Sequence, residues 1–414
     1  MMISKKEKEL PHILFLPVFL LLSAFILSNT IFHNSSMLLP LMSGFYVINI
    51  LLLVLYALKT KTTIKKKFLL LPAISLFISL CTIISCSIYN IQIQTYDLIN
   101  VLIKAVNLFC YIILFINIKI NKNQFLYLMK LFVILGVAAC IYNFIFNFYD
   151  ILNFYKITST YDLSLNSIFS NRNQFGAYLF LATVAYNFYN DRKKITAKNY
   201  VIYGLFILNI ILTMSRGAIL ATGIFVILIL LYNKKYKTII FLLILAILLA
   251  IIVNQYFPIF KFISDNILRT DTGTTGRTKI WATALSIWKN GSIMFGTGYY
   301  SGLEIAKTSY AFKYSQFHSY YCDLLVEGGI AQLLFISIII FLCYRNSQKC
   351  KDIYLKRTMT ASFISILVFS FFESVNFLAL GYADMLYTIF YMTVPILLSN
   401  IKNNNYGGEF YVCN

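Results

Sequence analysis

Apolar runs of about 20 residues recur along this chain, each long enough to cross a hydrocarbon core of roughly 30 Å as a helix. They lie near 11–30, 37–58, 68–89, 97–118, 124–149, 173–190, 199–214, 217–232, 238–256, 326–344, 358–378 and 382–400. With 59% hydrophobic and 12% charged residues, and a mean hydropathy of +0.75, the 414 residues are too apolar for a soluble domain. The expectation is an all-α integral membrane protein of about 12 transmembrane helices. An even number of spans returns both termini to one side.

Basic residues decide which side that is, because Lys and Arg are retained in the cytoplasm during insertion. With the N-terminus inside, the cytoplasmic segments hold 23 of the 35 Lys and Arg, whereas the short outer turns hold only Lys156, Arg172 and Arg216. Seven more lie in one long outer loop, where the charge rule is weak, and Lys104 and Lys130 are expected to snorkel to an interface. Both termini are therefore expected in the cytoplasm. The net charge of +20 follows from insertion and anionic head groups rather than from nucleic-acid binding, which the distribution disfavours.

The first apolar run follows Lys5, Lys6 and Lys8 as a signal peptide would, but it lacks a small-x-small cleavage signature and is expected to stay as the first helix. The eight cysteines show neither a disulfide framework nor metal spacing. No internal repeat is visible, which argues against a transporter built of two related halves. The chain divides into nine spans with short loops (1–256), a long extracytoplasmic loop (257–325), three further spans (326–400) and a cytoplasmic tail (401–414). Within the long loop, Ile280, Trp281, Ala284, Leu285 and Trp288 recur at helical spacing and predict an amphipathic helix over 278–289. Such a helix either anchors the loop or lies as a lid over the spans.

The outer face collects the cations that break the topological rule. Arg277 follows Gly273 and Gly276 in TDTGTTGRTKIW, and its guanidinium offers a fixed fork of donors suited to phosphate oxygens. Ion pairing with Asp271 or simple solvation explains it equally well, and Arg269 is open to the same account. Arg216, in TMSRGAIL, sits in a minimal turn between two spans, where a cation opposes both insertion bias and desolvation; head-group anchoring is the bland alternative. Arg172 lies between Asn171 and Asn173 in SIFSNRNQFGAYL. Helix capping by Ser170 or Asn171 explains part of that stretch, and paired amides beside an arginine also suit sugar hydroxyls and phosphate. His318, in FHSYYCDLLVEGG beside Tyr320 and Tyr321, could take a proton from a sugar hydroxyl, its reference pKa being about 6.5. On residue type alone, a lone histidine is more often structural. No outer segment carries an Asp-x-Asp pair, a Gly-rich phosphate loop or a zinc-binding spacing, so arginines rather than a metal are expected to neutralise a phosphate leaving group.

The succession SNRNQFGAYL, MSRGAIL, GRTKIWATALSIW with GTGYYSG, and FHSYYCDLLVEGGIAQLLF resembles the O-antigen polymerase and O-antigen ligase superfamily over about residues 165–345. The resemblance implies a membrane glycosyltransferase of the GT-C type in the bacterial cytoplasmic membrane. It would work without a metal or other cofactor and transfer a glycan from undecaprenyl pyrophosphate to an acceptor sugar on the extracytoplasmic side. By motif match, Arg216 and Arg277 hold the donor pyrophosphate and His318 activates the acceptor hydroxyl. Arg269, Arg172, Asn171, Asn173 and Tyr321 are further substrate-binding candidates. The family commonly has Asn after the histidine, where this chain has Ser319. A polymerase of surface polysaccharide is the first expectation, with membrane lipid, a chain-length regulator and a flippase as its surroundings. A ligase acting on lipid A core or another final acceptor is the nearest rival, and a flippase for lipid-linked glycan a more distant one.

Overall fold

The structure, a computed structural model, describes residues 66–109, 120–153, 165–190, 197–256, 277–378 and 386–401, with residues 22, 44, 47, 48, 50, 51, 54, 55 and 58 of the N-terminal part. The expected spans at 11–30 and 37–58 lie almost wholly outside these residues, as do Arg269, Asp271 and the first part of the long loop. Among the described residues the architecture is helical, apart from an isolated antiparallel bridge between Ser292 and Gly296. Helices are the economical answer for such apolar segments, since each satisfies its own backbone polar groups.

In chain order the helices are α1 (Lys66–Ile88), α2 (Thr95–Leu108), α3 (Lys122–Phe146), the short α4 (Phe148–Leu152), α5 (Arg172–Tyr189), α6 (Ala197–Leu212), α7 (Arg216–Tyr232) and α8 (Tyr236–Tyr256). They continue with α9 (Arg277–Asn290), α10 (Tyr299–Tyr310), α11 (Tyr320–Ser347), α12 (Ile353–Phe372) and α13 (Leu386–Ser399), in which Ile389–Thr393 form a π turn. Among the described residues, Leu69–Ile88, α3, α11 and α12 are long and apolar enough to cross a membrane, and α7, α13 and Asn199–Leu212 are shorter apolar helices. The run expected to be helical to 378 instead ends at Phe372, and residues 373–378 leave the helix.

Helix α5 is the hub. Every residue from Phe175 to Phe188 is buried, against α3, α6, α7 and α12, as expected of a helix that is apolar all round. Small residues set these approaches. A Cβ on Gly136 of α3 would lie 2.8 Å from the Ala182 Cβ, and one on Gly176 would lie 3.0 Å from both the Ala218 Cβ and the Thr213 Oγ1. Buried amides and hydroxyls tie the bundle across helices: Asn143 Nδ2 donates to Asn209 Oδ1 at 3.0 Å, and Asn187 Nδ2 to Thr358 Oγ1 at 2.8 Å.

The outer layer is α9 and α10, which have their own core of Ile280, Ala284, Ile287, Leu303, Ala306 and Phe317 against the first turns of α11. The predicted amphipathic helix is present, but its buried face is Ile280, Ala284 and Ile287, and Leu285 faces outward. The rotation follows from contact with α10 and α11 together, which favours an i, i+4, i+7 line over the tryptophan stripe.

Helix α11 is broken at Gly328–Gly329, where Gly329 has φ 63° and ψ −155°. The loop after α9 enters this break. Thr297 N–H donates to Val326 O (2.8 Å) and Gly298 N–H to Glu327 O (3.1 Å), while Ile330 and Ala331 N–H donate to Ile293 O (3.1 Å) and Met294 O (3.0 Å). The carbonyls and amides freed by the kink are thus paired within the protein. On the other side of the loop, Asp97 of α2 accepts from the N–H groups of Tyr300 and Ser301 (2.9 Å each) and from the Ser301 hydroxyl (2.6 Å), capping α10 from a distant helix. One turn or two further along α2, Lys104 does not snorkel. It is buried and paired with Glu327, which also accepts from Asn100 Nδ2 at 3.0 Å.

Candidate functional site

The N-termini of α5, α7 and α11 and the C-terminus of α12 come together on one face of the bundle, beneath the start of α9. A polar cleft of about 480 Å³ opens there, lined by Asn171, Arg172, Asn173, Gln174, Gln316, His318, Glu373 and Asn376 with the rings of Phe369 and Tyr387.

Glu373 is part of this lining. It is the first residue beyond α12, in extended conformation, and it is buried. Arg277 Nη2 pairs with Glu373 Oε1 at 2.7 Å, and Arg277 Nη1 donates to the carbonyl of Phe372. One guanidinium therefore caps the C-terminal end of α12, where the helix dipole favours a cation, and neutralises the carboxylate next to it. The sequence offered Asp271 as the partner of Arg277. Asp271 lies outside the described residues, and the partner found is Glu373.

His318 faces the same carboxylate. Its Nδ1 lies 3.9 Å from Glu373 Oε2, within reach of charge attraction but long for a hydrogen bond, and 3.1 Å from Gln316 Nε2. Its backbone is left-handed, with φ 53°. Phe317 and Ser319 on either side are buried, so the strained turn fixes the imidazole toward the cleft. Trp281 of α9 donates its indole N–H to the His318 carbonyl at 3.4 Å, which links the outer layer to the site. Burial of Glu373 works to raise its pKa, but His318 and the Arg277 guanidinium outweigh it and hold the carboxyl below the usual glutamate range.

Arg216 opens α7 at the edge of this group. The following residue, Gly217, is so close to α12 that a Cβ would lie 3.1 Å from the Phe369 ring and 3.3 Å from Glu373 Cγ. Arg216 itself is half-buried. Arg172 and Asn173, from the first turn of α5, line the cleft. Asn171 caps that helix, accepting from Gln174 N–H at 2.9 Å, so the expected capping role is present beside the cleft. Arg172 lines the cleft, Arg277 reaches its edge through Glu373, and Arg216 opens a neighbouring helix.

The structure does not bring Tyr321 to this cleft. Its hydroxyl donates to the Leu367 carbonyl at 2.9 Å and its ring meets Phe371 at 4.5 Å, on an apolar groove between α11 and α12. Arg269 lies outside the described residues. Glu373, conversely, was missed by the sequence reading, although it is an acidic residue set in the apolar run FSFFESVNF. An ionisable residue in such a run is by itself a signal of a site.

Apolar helices long enough to span a membrane, with a polar cleft at one end of the bundle, define an all-helical membrane protein. Residues 201–337, about a third of the chain, match the family model described as O-antigen ligase, consistent with the resemblance to the O-antigen polymerase and ligase superfamily. The matched stretch holds Arg216, Arg277 and His318; Arg172 and Glu373 lie outside it. No curated protein matches the chain.

Proposed function

We propose that this protein is a polysaccharide polymerase of about twelve spans. It would transfer a growing glycan from undecaprenyl pyrophosphate to the nonreducing end of a lipid-linked repeat unit, at the outer face of the bacterial cytoplasmic membrane. The observation that carries this reading is the grouping of Arg277, His318 and Glu373 beside a polar cleft, with Arg172 in its wall and Arg216 at a neighbouring helix start. In this reading Arg277 and Arg216 stabilise the departing pyrophosphate and His318 takes the proton of the attacking hydroxyl. Glu373 keeps His318 and Arg277 in place until the donor binds. The arginines supply the charge neutralisation that a divalent ion supplies in other glycosyl transfers. Arg172, Asn171 and Asn173 line the wall that would meet sugar hydroxyls, and Arg269 in the long extracytoplasmic loop is a further candidate for the donor.

A ligase that moves finished glycan onto lipid A core or another final acceptor would use the same cleft, and the family match is compatible with either. A flippase is less favoured, because the cations cluster at one end of the bundle rather than at its midplane. Gel analysis of surface glycan in a strain lacking the protein separates these readings. The strain is complemented with wild type or with His318→Ala, Arg216→Ala or Arg277→Ala at equal membrane abundance. Single repeat units on the final acceptor in place of a ladder are the outcome expected of a lost polymerase. Long chains stranded on the lipid pyrophosphate would identify a ligase, and full rescue by all three variants would discard the site.

A further inference from the structure

The outer layer has an opening of its own, of about 260 Å³, between α9 and the chain that follows α10. Helix α10 ends at Ala311 in the left-handed region, with φ 49° and ψ 37°, and the reversal sends Phe312 into the core that α9 and α10 share. Phe312 packs there on Phe317, with ring centroids 5.4 Å apart, and so holds the next two residues, Lys313 and Tyr314, at the surface. From the other side, Lys279 stands next to buried Ile280 at the start of α9. Both lysines line the opening, and no Asp or Glu does. Among the described residues neither lysine has an acidic partner, whereas Lys307 of α10 pairs with Glu304, and Arg277, just before Lys279, pairs with Glu373. Two like charges held at one opening favour an anion there.

Along the chain, this opening leads to the polar cleft. Its lining ends at Tyr314, and that of the cleft continues with Ser315, Gln316 and His318. The Tyr314 and His318 ring centroids are 6.1 Å apart, about the length of one sugar. Tyr310 and Tyr314, 41% and 44% exposed, give the opening aromatic surface that packs on a sugar ring, with phenol hydroxyls to meet its polar groups. An oligosaccharide with its terminal hydroxyl at His318 would lay its next sugar over Tyr314, within the field of the two lysines. We propose that this opening is a subsite for an acidic sugar, selecting acceptor repeat units that carry a carboxylate on the sugar next to the attacking one. The proposal rests on the acceptor role given to His318 above and adds the charge of the neighbouring sugar.

The test uses the full chain in phosphatidylcholine nanodiscs and the source strain's own repeat-unit oligosaccharide, released from its lipid pyrophosphate by mild acid. Part of the preparation has its carboxyl groups reduced to alcohols with carbodiimide and borohydride. By titration calorimetry, wild type is expected to bind the native oligosaccharide roughly tenfold more tightly than the reduced one, as two exposed ion pairs would together allow. Lys279→Gln and Lys313→Gln should each remove roughly two- to fivefold of that preference, and the double variant nearly all of it. Lys289→Gln, also exposed on α9 but outside the opening, should leave the preference unchanged. A repeat unit without an acidic sugar, equal binding of the two oligosaccharides, or a preference that survives in the double variant would overturn the proposal. So would loss of the preference when phosphatidylglycerol is added to the nanodiscs, which would give the lysines to lipid head groups. Binding is read without transfer. An intact glycan ladder in the Arg277 and His318 variants would therefore sink the transfer reading while leaving the binding result standing.

Discussion

Arg277 and Glu373 are 96 residues apart in sequence and 2.7 Å apart in space, and their ion pair joins the start of the outer helix α9 to the end of α12. Both side chains are largely removed from solvent, at 13% and 8% exposure. In such a place a carboxylate is held only by its partners. The donor pyrophosphate, on the proposed function, would replace Glu373 as the anion seen by Arg277.

Removing one partner should therefore cost nearly as much as removing both. Glu373→Ala or Arg277→Ala alone is expected to destabilise the protein by about 3–5 kcal/mol, with the double variant well short of the sum. Thermal unfolding in one detergent, read over the four proteins of the cycle, gives the coupling. Additive losses would mean that the pair is not coupled.

The pH dependence of that stabilisation has a definite sign. Because the Glu373 pKa is lowered below its ordinary value of 4.5 in the folded protein, its contribution is fully present above that value and is lost as pH falls through the lowered one. The stability gap between wild type and Glu373→Gln should be flat from neutral pH down to about 5 and then narrow on further acidification. A gap that widens with acid would contradict the depressed pKa.

Gly329→Ala should be severe although no side chain is lost. The residue has φ 63°, and a Cβ would lie 2.5 Å from the carbonyl carbon and oxygen of Met294. Backbone strain of this sort costs of order 1–3 kcal/mol before the loop moves. We expect the loop of residues 293–298 to leave the break in α11, detected as faster amide exchange at Ile330 and Ala331. Wild-type exchange at those amides would show that the break tolerates a side chain.

Asp97→Ala removes the cap of α10 from another helix. A lost cap costs about 0.5–2 kcal/mol, and the expected result is selective proteolysis within 299–310 with the membrane helices intact. Asp97→Asn, which keeps an acceptor oxygen, should lie between the variant and wild type.

Removing divalent metal should leave transfer unchanged, since the proposed chemistry is carried by arginines and histidine. Chain extension in isolated membranes with and without EDTA measures this directly. Loss of extension in EDTA, restored by one particular ion, would require a different account of the leaving group.

Hydropathy alone located the described apolar helices to within a few residues at most ends, because a segment in lipid must be both apolar and internally hydrogen-bonded. Motif order singled out Arg216, Arg277 and His318, and the capping pattern marked Asn171. Other features depended on neighbours distant in the chain. The face that α9 buries was set by α10 and α11, so Leu285 turned outward where its spacing predicted burial. Lys104, assigned to an interface by its type, found Glu327 across the fold. Tyr321, close to His318 in sequence, points into the apolar groove because successive helical residues diverge by about 100°. Glu373 gained its place only when α12 ended at Phe372 beside the arginine of α9. Local sequence determined which segments are apolar helices and which residue types could bind an anion, because solvation and helix periodicity act within a segment. Tertiary structure decided which charges share a site, because an ion pair depends on a few ångströms of separation that no sequence distance encodes.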